Sequence, residues 1–341
     1  MVEPVVIAHR GVPGERLEHT RDSFLLAIEQ GADVIEPDVV ATRDGVLVVR
    51  HENEIGHTTD VAQHARFADR RTVKVIDGVA FAGWFTEDFT LEELRTLRCR
   101  ERLPQLREHN LRLDGTAGIL TLEEVVEIAR AADRTVGVYP ETKHPSYFAS
   151  IGLDLDDLLL ATLERCGTDG AADSDVPVTI QSMETANLRH LRSRTAATIV
   201  QLLDRAGSPW DLHVAGDPRT YADLTTDAAL ADIATYADGI GPNKSLVIGR
   251  DDDHRLTGPT GLVERAHEAG LLVHAWTIRD ENNFLPLDHR VGDDRAAHGD
   301  AEGECLAFLE AGVDGVFADV TRTAVAARAR WSANRVASPS A

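Results

Sequence analysis

Eight short apolar runs, near residues 6, 35, 138, 179, 199, 240, 274 and 316, constrain this chain more than any other feature. Runs such as Val5-Val6-Ile7-Ala8 are continuous rather than alternating, as expected of strands covered on both faces. Between them lie stretches with helical patterning, and a parallel crossover needs a dozen or more residues. Thr20 is a helix cap, Phe24, Ala27 and Ile28 form an apolar face, and Gly31 ends the turn. A helix over 121–132 opens with a capping box, Thr121-Leu122-Glu123-Glu124. Further helices are expected over 153–165, 184–193, 221–235, 259–269, 301–311 and 321–331. Eight such units predict an α/β fold, a (β/α)8 TIM barrel with an insertion after strand 2. A doubly wound sheet is the alternative, but no Gly-x-Gly-x-x-Gly follows the first strand. The expected organisation is one barrel domain over 1–331 and a flexible tail over 332–341.

The rhythm breaks once. Seven residues, with Asp44-Gly45 among them, separate Asp38 from the run Val46-Leu47-Val48-Val49. Asp-Gly between two β runs signals a hairpin. Pairing Thr42 with Leu47 sets Val40 opposite Val49 and Asp38 opposite His51. Residues 52–118 then fit no repeating unit and are expected to form an inserted lid over the top of the sheet. Within it, Phe81, Trp84, Phe85 and Phe89 suit a small core, and 90–97 is helix-like.

Composition narrows the partners. Net charge is −22, which argues against nucleic acid and anionic membrane surfaces. An anionic ligand would need a locally basic pocket. The only lysines are Lys74, Lys143 and Lys244, so each stands out. Cys99, Cys166 and Cys305 are far apart and read as small buried hydrophobes. No 18-residue apolar run is present, so no stable membrane insertion is expected. After Met1 the chain enters the first strand without a signal-peptide pattern, which reads as cytoplasmic; a processed form would be secreted or periplasmic. Nothing in the sequence sets the oligomeric state.

The chemistry gathers at the strand ends, where barrel active sites lie. Glu36 and Asp38, at i and i+2, point to the same side of an extended strand and can grip one hard cation. Glu141 ends the next strand. An all-oxygen set of Glu36, Asp38 and Glu141 suits one divalent cation, Ca²⁺ or Mg²⁺, better than zinc. His9 and His51 fall beside it, and imidazoles can serve as base and acid across one reacting centre. His19, His57, His64, His144 and His274 lack that placement and are left mostly structural, with His144, next to Lys143, kept as a candidate to line the pocket. Arg10 and Lys143 add positive charge at the rim, which marks a phosphate oxygen as ligand. Trp276 offers an apolar wall for a polyol or alcohol.

His9-Arg10-Gly11, Glu18-His19-Thr20, Glu36-x-Asp38, Thr42-Arg43-Asp44-Gly45, His51, Glu141-x-Lys143, Ala275-Trp276-Thr277 and Asp314-Gly315-Val316-Phe317-x-Asp319 occur in this order. Together they resemble the glycerophosphodiester phosphodiesterase family, in its long, periplasmic-type bacterial branch. Departures are Glu52 where Asp commonly follows the histidine, no Pro before Glu18, and Met183 in place of a frequent Phe. The resemblance implies a TIM barrel that hydrolyses small glycerophosphodiesters to glycerol 3-phosphate and an alcohol. It implies a cation on Glu36, Asp38 and Glu141, His9 and His51 as acid and base through a cyclic phosphate, and Arg10, Lys143 and Trp276 on the substrate. Two rivals stay open. One is a phospholipase D-like enzyme on lysophospholipids or sphingolipids, with an apolar rim in the insertion. The other is a non-catalytic barrel that binds a phosphorylated ligand.

Overall fold

The computed structural model describes residues 3–168, 171 and 173–337. Its strands are Val5–His9, Val34–Glu36 continuing beyond Pro37 as Asp38–Ala41, Gly137–Val138 continuing beyond Pro140 as Glu141–Thr142, Thr179–Ser182, Thr198–Leu203, Gly239–Pro242, Leu272–Ile278 and Gly315–Ala318. They pair in parallel in chain order, and the last returns to the first through Val5↔Gly315. The second and third strands are each split at a proline, which has no N–H for the ladder. They join below the split through Ile35↔Val138 and above it through Asp38↔Glu141. The sheet therefore closes into the expected (β/α)8 barrel.

Apolar side chains fill both sides of the sheet. Ile7, Tyr139, Val200 and Phe317 pack inside the barrel, where the Tyr139 hydroxyl lies 3.1 Å from His274 Nδ1. The larger core lies between sheet and helices and includes Phe24, Val125, Leu159, Leu188, Leu230, Ala266 and Phe308. Two caps form as the sequence predicts: Thr20 accepts from the Ser23 N–H, and Thr121 and Glu124 make a reciprocal capping box. Several helices are shorter than their patterns, including Ala186–Arg192, Asp227–Ile233 and Leu262–Glu268. The last is longer, Thr321–Ala337, so the expected tail is helical from Ser332 to Ala337. Residues 338–341 lie outside the described residues. Among the described residues no helix is long and apolar enough to cross a membrane.

The hairpin after Asp38 forms one residue out of the expected register. Val39 faces Val49 and Val40 faces Val48, and the Arg50 N–H donates to the Asp38 carbonyl. Arg50, not His51, is thus Asp38's neighbour. The loop has three residues, Arg43-Asp44-Gly45, because the Val46 N–H finds the Thr42 hydroxyl and Gly45 takes φ +74°. A left-handed glycine at the third position is the usual solution for a three-residue hairpin.

Residues 52–118 carry short 3-10 turns, a hairpin of Thr72–Ile76 with Val79–Gly83, and a one-turn helix Leu91–Leu94. Phe85 and Phe89 are fully buried, and Phe67 meets Phe89 edge-on. Phe81 is not part of that core: it is 41% exposed and lines a cavity beside the barrel mouth. Sequence patterning misses the hairpin, and also a second one, Ile248–Arg250 with Leu256–Pro259.

Candidate active site

The site is the next layer of the barrel interior. Side chains two residues apart share a face of a strand. Ile7 points inward, so His9 does too. The same step leads from Val34 to Glu36, from Tyr139 to Glu141, from Val200 to Leu202, from His274 to Trp276 and from Phe317 to Asp319. His9, Arg10, Glu36, His51, Glu141, Lys143 and Trp276 accordingly line one small hollow with Gln181, Met183 and Thr277. Asp38 lies against its wall through Lys143 and Arg10. All eight residues expected from the sequence come together.

Each imidazole is held from behind. His9 Nδ1 donates to Asp319 Oδ1 at 2.6 Å. The other oxygen of Asp319 takes Arg107 at 2.5 Å and lies 3.1 Å from Arg279. His51 Nδ1 donates to Glu52, and Glu52 pairs with Arg102 at 2.7 Å. Arg102 also grips Glu18, whose carboxylate reaches Arg10 at 3.2 Å. Two arginines of the 52–118 segment thus hold the carboxylates that orient the two histidines. Nε2 of each ring is left for a substrate.

Burial, with Arg10 next, pushes His9 down to about 4, although Asp319 pulls it up. Burial, Arg10 and Lys143 push His51 down to about 3, against Asp38 and Glu52. Both rings are therefore neutral near pH 7 in this state. An anion bound between Arg10 and Lys143 would offset the charges that depress them and so favour an imidazolium.

The carboxylates are crowded. Lys143 Nζ lies 3.0 Å from Asp38 Oδ1 and 2.6 Å from Glu141 Oε1. Glu36 accepts the Arg10 N–H at 2.9 Å and the Gln181 amide at 3.0 Å. Burial, Asp38 and Glu141 push Glu36 well above the usual carboxylate range. Burial raises Glu141 to about 7 even with Lys143 beside it. Asp38 is held low by Lys143, His51 and Arg10 despite its burial. Its Oδ2 is buried without a hydrogen bond, because Arg10 Nε, at 3.1 Å, is poorly aligned. Like charges packed this closely, with an oxygen lacking a donor, fit a divalent cation.

Sequence reasoning left His19 mostly structural, kept His144 only as a candidate to line the pocket, and did not single out Arg102, Arg107 or Arg279. His19 approaches Glu36 and Asp38 closely enough to form a possible metal-binding group with them. Its Nε2, however, accepts the Asp38 N–H at 3.1 Å, which uses the lone pair a metal would need. His144 lines a second cavity of about 450 Å³, together with His51, Phe81, Met183, Trp210 and Tyr221, and pairs with Asp77 at 2.5 Å. Arg102, Arg107 and Arg279 carried no local signal, since the chain is rich in arginine. Asp319 did, through the motif that contains it.

The model of the glycerophosphoryl diester phosphodiesterase family matches residues 9–323. A glycerophosphodiester phosphodiesterase of Arabidopsis thaliana is 37% identical over 330 residues, spanning 93% of this chain and 84% of that protein. One of Haemophilus influenzae is 27% identical, spanning 82% of this chain and 80% of the relative. Among solved structures, a phosphodiesterase of Oleispira antarctica in complex with the product sn-glycerol-3-phosphate shares the fold. Its TM-score is 0.61 at 20% identity, covering 95% of this chain and 96% of that one. On the family match and the Arabidopsis relative, this chain belongs to the glycerophosphoryl diester phosphodiesterase family.

Proposed function

We propose that this protein hydrolyses glycerophosphodiesters to glycerol 3-phosphate and an alcohol, by acid–base catalysis between His9 and His51. The observation that carries the reading is the pair of imidazoles, each fixed at Nδ1 by a carboxylate, facing one hollow that also holds Arg10 and Lys143. Family membership supports the same reaction.

Glu36, Asp38 and Glu141 would hold one divalent cation, Ca²⁺ or Mg²⁺. When bound it supplies charge for a phosphate oxygen and lowers the pKa of a neighbouring glycerol hydroxyl. His9, neutral and oriented by Asp319, takes the proton of that hydroxyl as it attacks phosphorus. His51, as the imidazolium that the bound phosphate anion favours, protonates the departing alkoxide and is left neutral. The cyclic phosphate that results is opened by water, with the two histidines exchanging roles. Arg10 and Lys143 stabilise the charge that builds on the phosphoryl oxygens. Trp276, whose indole N–H donates to the Gly241 carbonyl at 2.7 Å, walls the substrate. Each histidine contributes about 10²- to 10⁴-fold.

The test is release of glycerol 3-phosphate from glycerophosphocholine, first after chelation and then with Ca²⁺ or Mg²⁺ restored. Wild type, His9→Ala and Glu36→Ala are compared. Metal-restored release that both substitutions abolish is expected; release indifferent to chelation would remove the cation from the scheme. One observation favours a second substrate class, the lysophospholipids. Val73, Val75, Val79 and Phe81 expose an apolar surface on the hairpin beside the 450 Å³ cavity. Turnover of lysolipid micelles with none of glycerophosphocholine would select that class.

A further inference from the structure

Beside Trp276 lies a third hollow, also about 450 Å³. Arg205, Lys244, Arg250 and Arg279 converge on it, and Asp204 is the only acid in its lining. That is unexpected in a chain of net charge −22. One of only three lysines stands here.

The positive charge is not fully answered within the protein. Lys244 and Arg250 share one buried carboxylate, Glu304, at 2.8 and 3.0 Å. Arg279 has only Asp319 within ion-pair distance among the described residues, and Asp319 also serves Arg107 and His9. The Arg205 side chain makes no ion pair among the described residues. One polar atom at this wall, Thr277 Oγ1, is buried with no hydrogen-bond partner. Thr277 is itself 7% exposed. Trp276 and Thr277 line both this hollow and the one that holds His9 and Arg10. A group bound here is therefore one side chain away from the reacting phosphate.

Planar guanidinium forks beside a hydroxyl suit a phosphate. The volume suits a small phosphorylated polyol. We propose that this hollow binds a second phosphate, carried by the alcohol of the diester, so that the preferred substrates are glycerophosphodiesters of phosphorylated alcohols. This rests on the diesterase reading above and adds a substrate class to it.

The experiment compares kcat/KM for glycerophosphoglycerol and for the same diester with a phosphomonoester on its terminal hydroxyl. Wild type, Arg205→Ala and Arg250→Gln are used. Wild type should favour the phosphorylated diester by about ten-fold, the scale of one charge-assisted hydrogen bond. Both variants should bring it towards parity while leaving turnover of unphosphorylated glycerophosphoglycerol within about two-fold, since neither residue touches the reacting centre. The preference should shrink as salt rises from about 0.05 to 0.5 M. Arg205 is exposed, so its variant tests the idea even if Arg250→Gln disturbs Glu304. Glycerophosphoglycerol turned over as well as its phosphorylated counterpart by wild type would overturn this inference alone. Turnover of neither would overturn the diesterase reading and this one with it.

Discussion

His9 and Asp319 stand 310 residues apart in the chain and meet at 2.6 Å, Nδ1–H on Oδ1. Burial would raise the Asp319 carboxyl, but Arg279, Arg107 and His9 together hold it well below the usual range. It therefore stays an anion that fixes the ring and supports an imidazolium. Asp319→Asn should lower kcat by about 10²- to 10⁴-fold, as expected for loss of an oriented base. KM should change little, and the far-UV spectrum should be kept. Steady-state kinetics on glycerophosphocholine would show this; a loss below about three-fold would deny Asp319 the positioning role.

Arg107 joins the 52–118 segment to the barrel top, through Glu281 and Asp319, both at 2.5 Å and all three side chains buried. Arg107→Met would leave the buried Glu281 carboxylate without a cation and Asp319 Oδ2 with Arg279 alone. Removing one partner of such a cluster costs about 3–5 kcal/mol. Urea unfolding should report a loss of that order, together with lower activity. Arg102→Met should also destabilise, because the buried Glu18 would keep only Arg10, and it should slow turnover by freeing Glu52 from its place behind His51.

Glu184 is buried beside the His51 cavity, where it accepts the Ser146 N–H at 3.3 Å and the Ser146 hydroxyl. Burial raises it to about 8, Asp211 and Asp77 add to this, and the Ser146 hydrogen bonds oppose it. The folded state then keeps a proton that the unfolded chain releases above about pH 4.5. Stability present below that pH is lost as pH rises towards 8, by at most about 1.4 kcal/mol per unit. Glu184→Gln keeps hydrogen bonding to Ser146 without the charge. Its melting temperature should exceed wild type by a margin that grows from pH 5.5 to pH 8. A margin constant with pH would contradict the assignment.

Gly11 follows the first histidine-arginine pair at φ +89°. A Cβ there would come within 2.4 Å of the Ser23 hydroxyl, which receives the Val12 N–H. Gly11→Ala must therefore move either the Arg10 backbone or the first helix. A loss of about 2 kcal/mol or more is expected, beyond the roughly 1 kcal/mol of a left-handed alanine alone. Chemical denaturation measures it, and a neutral substitution would show that the loop yields freely.

The barrel and most of its site were legible in the sequence because both follow from strand periodicity. Inward-facing residues two apart place His9, Glu36, Glu141 and Trp276 on one ring once the eight runs are recognised. The hairpin was legible as a hairpin, but its register was not. That depended on the Thr42 hydroxyl taking the Val46 N–H and shortening the loop by one residue. Residues 52–118 could be marked only as a segment without repeat.

The sequence by itself determined the strand count, the strand-end chemistry and the family, since each is written in local spacing. Only the tertiary structure decided what orients that chemistry. Arg102 and Arg107 reach Glu52 and Asp319 across 50 and 212 residues. Arg205, Lys244, Arg250 and Arg279 converge from three separate segments. An arginine's long side chain takes its partner from whatever the fold brings near, and no local pattern in the chain records that choice.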